Sequence, residues 1–514
     1  ERGNIMKYLK LIFNRLYVFG LMILVQVVYM LLMLNKFSHY SQVWSAICLV
    51  LSILVVLFIV NKEDNPAYKI AWIIPILLFP IFGGLLYLFL GNKKPTRRMR
   101  DKIEKEHEKH KCRVQNQEVI KDIEKQDLRV AGQVRYLSNH VGFPIYENTN
   151  ATYYKSGEEN FKDMIRELKA AKHYIFMEYF IIDEGDMWDT ILDILEQKAQ
   201  EGLDVRLIYD DMGCVSNLPY KYDRILEARG IKCMAFNPFI PFVSLAMNNR
   251  DHRKILVIDG HTGFTGGINL ADEYINTKER FGYWKDTGIM LKGEGVWNLT
   301  TMFLHMWNSF RPTDEDYDKF RPHVHLNKLV QHDGYIQPYG DSPLDEEVVG
   351  ENVYLNLINN AKKYVYIFTP YLIIDNEMMT SLCLASKRGI DVKIVTPGIP
   401  DKKTVFKLTR SYYHQLIENG VEIYEYTPGF LHAKVVVSDD EVATVGTINF
   451  DYRSLYLHFE CGVFLYKSKC IQDIKQDALE TIAKSRKIEN TNVFSNGKID
   501  TLFRAVLRVF APLL

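Results

Sequence analysis

Two histidines head the same pattern, His-x-Lys-x-x-x-x-Asp: His252, Lys254 and Asp259 in HRKILVID, and His432, Lys434 and Asp439 in HAKVVVSD. An asparagine led by glycine follows each at an offset of 17 (269−252 and 449−432): GGIN, with Gly267, ends at Asn269, and GTIN, with Thr447, ends at Asn449. One copy could be accident; two with a shared downstream asparagine are not. A neutral imidazole can attack phosphorus and form a covalent phospho-histidine. A second imidazole can protonate the leaving oxygen and later deprotonate an incoming alcohol. Lys254, Lys434, Asn269 and Asn449 suit the non-bridging oxygens of a five-coordinate phosphorus. The two sets thus describe one site for phosphoryl chemistry, assembled from two halves.

A carboxylate on the far nitrogen of each ring would fix its tautomer. Glu460, just after the GTIN strand, is placed in sequence to serve His432, and Asp286, in YWKDTG, to serve His252. Asp259 and Asp439 complete the motifs as candidate catalytic residues, but their position at strand ends suits bracing a loop better than touching substrate. No group of His, Cys, Asp or Glu has metal-ligand spacing and lysine is an unusual ligand, so no metal and no cofactor are expected. His305, His323 and His325 read as surface or packing residues; His458, near Glu460, is assigned no role.

The elements that position these residues are also duplicated. AKHYIFMEYFIID (171–183) resembles AKKYVYIFTPYLIID (361–375), EGLDVRLIYD (201–210) resembles RGIDVKIVTP (388–397), and ARGIKCMAF (228–236) resembles ENGVEIYEY (418–426). Short β-branched or aromatic runs alternate with helical segments such as MWDTILDILEQKAQEG, stopped by Gly202. That alternation argues for α/β layers around a largely buried sheet. Within HRKILVID, ILVI anchors a strand in the core while His252 and Lys254 project together from one face.

Composition narrows the partners. Lys+Arg and Asp+Glu both number 63, so net charge is zero, which disfavours nucleic acid as a partner. Seven scattered cysteines without a CxxC predict reduced thiols. Apolar runs at 16–34, 43–60 and 70–90 reach membrane-span length, while ERGNI ahead of Met6 reads as an appended leader. Lys93, Lys94, Arg97, Arg98 and Arg100 after the third run place the catalytic part on the cytoplasmic side and favour anionic lipids. Residues 97–128 read as a solvated linker helix. FNPFIPFVSLAMNN (236–249), with Phe239 and Phe242, is either core or a lip for acyl chains. TLFRAVLRVFAPLL sets Leu502, Phe503, Val506, Leu507 and Phe510 on one helical face, suiting either docking on the protein or an interfacial helix.

With its duplicated HxKxxxxD motifs and their glycine-asparagine sequels, the chain resembles the phospholipase D superfamily, and within it the bacterial cardiolipin synthases. The resemblance extends to NPAYKIAWIIPILLFPIFGGLLYLFLG, NNRDHRKILVIDG, GGINLADEY, GTINFDYRSLYLHFE and the terminal APLL. Thr447 stands where many relatives have serine, and the leader carries one apolar run more than expected. The resemblance implies an α/β fold of two homologous α-β-α sandwich subdomains forming one active site behind an N-terminal hydrophobic membrane region. The corresponding divisions are a transmembrane region (1–92), a charged linker helix (93–130), two phospholipase D-like subdomains (131–330 and 331–490) and an amphipathic C-terminal segment (491–514).

The implied reaction transfers a phosphatidyl group from one phosphatidylglycerol to another through phosphatidyl-histidine, giving cardiolipin and glycerol at a bacterial cell membrane. By the same analogy His252 is the nucleophile and His432 the acid/base. The alternatives are a phospholipase D-type hydrolase, a phosphatidyltransferase using another alcohol, and an inactive membrane scaffold, the last disfavoured by intact His, Lys and Asn pairs. A homo-oligomer is compatible with the sequence.

Overall fold

The motif strand Lys254–Ile258 is buried along its whole length because it lies inside a sheet covered on both faces. The computed structural model describes residues 24, 38–91, 95–110, 114–238, 248–325, 330, 332–345, 347–489 and 497–513. Across the first sheet the strands run Thr149–Tyr154, Gly288–Gly293, Thr262–Gly266, Lys254–Ile258, Tyr174–Tyr179, Asp204–Asp210 and Lys232–Phe236. The second sheet repeats that order as Tyr335–Asp341, Glu460–Tyr466, Val442–Gly446, Val435–Ser438, Tyr364–Phe368, Asp391–Pro397 and Glu422–Tyr426, then adds Ser485–Lys487. Each motif strand pairs antiparallel with the equivalent strand of its own half, Tyr174–Tyr179 or Tyr364–Phe368. On their other side, these two strands pair parallel with Asp204–Asp210 and Asp391–Pro397.

The repeat read from sequence is therefore a repeat of topology, and the fold is mixed α/β with two sheets. The expected helix is Asp186–Gln200, and Gly202 after it adopts φ +92°, a conformation that favours glycine. Helix Val296–Phe310 is buried on nearly every side and packs on strands of both sheets. Helix Arg97–Lys109 is not a fully solvated linker: Met99 and Ile103 are buried, and the helix lies on Val296–Phe310. The six described cysteines are free thiols.

Both sheets belong to one compact unit, Pro95–Pro238 with Arg250–Lys498. A smaller unit contains the N-terminal helices Ser38–Val60, Pro66–Leu78 and Pro80–Leu90, together with the C-terminal helix from Ile499 onward. Ile59, Trp72, Ile76 and Tyr87 form its core, with Leu513 packed against them. The apolar run 70–90 is not one span. Pro80 forces Phe79 out of helical geometry (φ −136°, ψ 78°), and the run divides between helices of 13 and 11 residues. Lengths of roughly 20 and 17 Å fall short of the ~30 Å hydrocarbon core. Among the described residues no helix is long and apolar enough to cross a membrane. The first run lies outside the described residues apart from Leu24, as do Phe239 and Phe242. On the C-terminal helix Leu502, Phe503 and Val506 are exposed.

Candidate active site

The two halves meet through backbone as well as side chains. Asp251 bridges Phe459, and the His252 N–H donates to the Phe459 carbonyl at 2.9 Å. On the other side, Gly429–Leu431 pairs parallel with Tyr283–Lys285, and the His432 N–H donates to the Lys285 carbonyl at 2.7 Å. Each motif histidine is thus tied by its own backbone to the opposite half.

This seam sets the carboxylate partners, and it crosses them. His252 Nδ1 lies 2.9 and 3.0 Å from the two oxygens of Glu460, which belongs to the second half. His432 Nδ1 lies 2.7 Å from Asp286 Oδ2, which belongs to the first. The pairing expected from sequence neighbourhood, Glu460 with His432 and Asp286 with His252, is the reverse of the one observed. The reason is geometric: the residue after each seam strand carries the carboxylate, and the seam strand lies against the other half's histidine.

The two pairs differ in their supports. Gly267 leaves the space that the Asp286 carboxylate occupies; a Cβ there would stand 2.0 Å from Oδ1. Oδ1 also accepts from the Thr287 N–H at 2.8 Å. In the second half the equivalent position is Thr447, whose hydroxyl donates to Glu460 Oε2 and accepts from the Cys461 N–H at 3.0 Å.

Charge follows the same asymmetry. Burial pushes His252 well below the ordinary imidazole range, and the ammonium groups of Lys254 and Lys434 push the same way. Burial also takes His432 down, to about 4, with Lys434 adding to the fall and Asp286 opposing it. Burial would raise Asp286, but His432 and Lys434 hold it below the usual carboxylate range. Glu460 is raised by burial against the pull of His458 and Lys254. The two carboxylates thus differ, Asp286 held below its ordinary range and Glu460 above it, while burial keeps both imidazoles neutral.

Both lysines are buried, and each donates from Nζ to the carbonyl of its own motif histidine, Lys254 to His252 at 2.6 Å and Lys434 to His432. Burial lowers Lys254 to about 8 and Lys434 to about 7, against the attraction of Glu460 and Asp286 respectively. The strands begin at or just after the lysines, so the histidines sit in the segments leading into them rather than within them.

The asparagines are not equivalent. Asn269 Oδ1 accepts from the Ile181 N–H at 3.0 Å and its Nδ2 donates to the Tyr274 hydroxyl at 2.7 Å. The buried Asn449 amide oxygen has no hydrogen-bond partner among the described residues. The motif aspartates stand at the far ends of the strands. Asp259 accepts from the N–H groups of Lys172, His173 and Tyr174 at 2.7–3.0 Å. Asp439 accepts from those of Lys362, Lys363 and Tyr364 at 2.7–3.1 Å. Both adopt positive φ, 49° and 58°. They brace turns, and their candidacy as catalytic residues is withdrawn on that geometry.

The fold brings one more residue to the site. His458 is nine-tenths buried, its ring centroid lies 5.7 Å from that of His252, and its Nδ1 stands 3.9 Å from Glu460 Oε1. Only its closeness to Glu460 in sequence hinted at this. Of the other histidines, His305 is buried with its Nε2 3.2 Å from the His110 carbonyl, and His325 sets its Nε2 3.1 Å from the Lys319 carbonyl.

Residues 164–307 and 354–481 match the family described as cardiolipin synthase, PLD-like domain, and residues 50–92 match a phospholipase D-nuclease N-terminal family. A cardiolipin synthase of Alkalihalophilus pseudofirmus is 33% identical over 90% of this chain and 91% of its own. Cardiolipin synthase 2 of Bacillus cereus is 34% identical over 89% of each chain. An uncharacterized protein of Streptococcus mutans is 48% identical over 89% of this chain and 99% of its own. In fold, a phosphatidylserine synthase of Haemophilus influenzae superposes with a TM-score of 0.54 at 14% identity, covering 74% of this chain and 98% of that one.

Proposed function

The chain belongs to the cardiolipin synthase family of phospholipase D-like phosphatidyltransferases, and from that premise we propose that it joins two phosphatidylglycerol molecules into cardiolipin and glycerol. The observation that carries the reading is the crossed pair of imidazole–carboxylate contacts. Glu460 holds the Nδ1 proton of His252 and so leaves a lone pair on Nε2, on a ring that burial keeps neutral. That Nε2 attacks phosphorus of the first lipid. The bond from phosphorus to the glycerol oxygen breaks, and His432, stabilised as a cation by Asp286, gives that oxygen its proton. An anionic phosphodiester beside His432 favours the protonated form that burial alone opposes.

In the second half-reaction the glycerol hydroxyl of another phosphatidylglycerol gives its proton to His432. Its oxygen bonds to phosphorus, the phosphorus–nitrogen bond breaks, and His252 returns to its starting state. Lys254 and Lys434 hold the non-bridging oxygens with the N–H groups not donated to the histidine carbonyls. Asn269 fixes the Ile181 backbone and Tyr274. One phosphodiester replaces another, so the reaction needs no nucleotide.

Both substrates are bilayer lipids, and we place the protein at a bacterial cell membrane. The exposed apolar residues of Ser38–Val60 and the exposed Leu502, Phe503 and Val506 of the C-terminal helix support that placement.

The test is a lipid assay: purified protein in phosphatidylglycerol vesicles without added nucleotide or metal, beside His252→Ala and His432→Ala, with products read by mass spectrometry. Cardiolipin and glycerol from the wild type alone are expected. Phosphatidic acid without cardiolipin refutes the reading in favour of a hydrolase, and turnover only with another alcohol refutes the acceptor.

A further inference from the structure

Histidine 458 plays no part in the reaction proposed above, yet neither of its ring nitrogens has a hydrogen-bond partner among the described residues, and both are shielded from solvent. A buried polar atom in that condition is costly. Both ring nitrogens are therefore uncommitted.

Its neighbours supply the rest of a ligand set. One ligand atom each from His252, His458 and Glu460 falls within 4.8 Å of the other two. Two imidazoles and a carboxylate are a donor set that zinc takes in enzymes. Imidazole nitrogen favours the late first-row divalent ions over magnesium or calcium. No spacing in the sequence announces this set: His252 and Glu460 are separated by 208 positions and are joined only by the crossing of the halves.

We infer that His252, His458 and Glu460 form an inhibitory site for a late first-row divalent cation such as Zn²⁺. To bind the ion beside Glu460, His252 presents the lone pair of Nδ1, and its proton moves to Nε2. The nitrogen proposed to attack phosphorus then carries hydrogen instead of a lone pair. The metal also takes the carboxylate that orients the ring. Bound ion and phosphatidyl transfer therefore exclude each other. The inhibition rests on the proposed role of His252, whereas the binding does not.

The experiment uses the full-length protein, freed of metal with a chelator and titrated with Co²⁺ as a spectroscopic stand-in for zinc, beside His458→Asn. The wild type is expected to bind one equivalent with the intense visible bands of tetrahedral cobalt. His458→Asn should weaken that binding by about 10- to 100-fold, a range seen even for the outer partners of metal sites. In vesicles, Zn²⁺ should suppress wild-type lipid turnover, and the half-inhibiting concentration for the variant should rise by the same factor, with metal-free turnover close to wild type. Should His458→Asn fail to fold, His458→Gln serves in its place. Absence of the bands in the wild type, or identical titration of both proteins, overturns the site. Binding without inhibition overturns its regulatory role. If the protein makes no cardiolipin, the cobalt titration still decides whether the site exists.

Discussion

Replacing Asp286 with asparagine is expected to disable His432 and spare His252, although Asp286 lies in the same half as His252. The carboxylate is fully buried, with Oδ2 2.7 Å from His432 Nδ1 and Oδ1 on the Thr287 N–H at 2.8 Å. An asparagine that keeps the Thr287 bond must turn its NH₂ toward Nδ1. His432 then has to carry its proton on Nε2, the wrong tautomer for a base. Loss of a charge-assisted bond alone is worth about 1.5–3 kcal/mol, or roughly 10- to 150-fold in rate. A forced tautomer brings the loss toward about 10⁴-fold, the size found when the orienting aspartate of a catalytic triad is replaced in this way. The upper end is expected here, because Asp286 also opposes the fall of Lys434, already at about 7. The assay is a burst measurement with a phosphatidyl ester of p-nitrophenol, whose leaving group needs no acid. Asp286→Asn should release one equivalent at near wild-type rate and then stall as a lipid–enzyme adduct, whereas Glu460→Gln should slow the burst itself. Loss of the burst in Asp286→Asn with its retention in Glu460→Gln would refute the assignment of roles.

Other perturbations separate site from scaffold. Thr447→Ser keeps the hydroxyl on Glu460 and should retain wild-type turnover, whereas Thr447→Val should lose roughly 10- to 150-fold of kcat, measured in the vesicle assay. Asp259→Ala strands three backbone N–H groups and should lower stability by several kcal/mol, at about 1–3 kcal/mol per orphaned group, while the folded fraction keeps its turnover; thermal unfolding with active-site titration tests this. Glu351 is raised to about 9 by burial and by Asp375, and the Tyr456 hydroxyl bonds to both carboxyls. The native state therefore holds one proton more than the unfolded chain between about pH 4.5 and 9, and stability falls as pH rises through that window, by up to about 1.4 kcal/mol per unit. Glu351→Gln removes the titration, so its Tm advantage over wild type should grow from pH 5 to pH 8; an advantage independent of pH would refute the account.

What the sequence made legible follows from which contacts are local. The strand residues Ile255–Ile258 and Val435–Ser438, the stop at Gly202 and the repeat of Tyr174–Tyr179, Asp204–Asp210 and Lys232–Phe236 as Tyr364–Phe368, Asp391–Pro397 and Glu422–Tyr426 all follow from period and composition within short windows. Glu460 and Asp286 were recognisable as carboxylates near the motifs, but nearness in sequence gave the wrong partners, because the seam that assigns them pairs segments well over a hundred residues apart. His458, beside Glu460 in sequence, was assigned no role for the same reason. Asn269 and Asn449 occupy equal offsets, yet only the folded surroundings show one as a backbone brace and the other with capacity left over. The run 70–90 reads as a span by hydropathy, and Pro80 breaks it because the preceding residue cannot stay helical.

The crossing of the carboxylates bears on how such an enzyme can exist at all. A single half carries an imidazole without its counter-ion and a counter-ion without its imidazole, so on its own it would await a second molecule to be complete. Joining two halves in one chain turns that encounter into an intramolecular one, with an effective concentration set by the connection instead of by expression level. It also frees the halves to diverge. Gly267 and Thr447, or Asp286 and Glu460, can each be tuned once, for donor or acceptor, where two identical copies would have to compromise between both tasks.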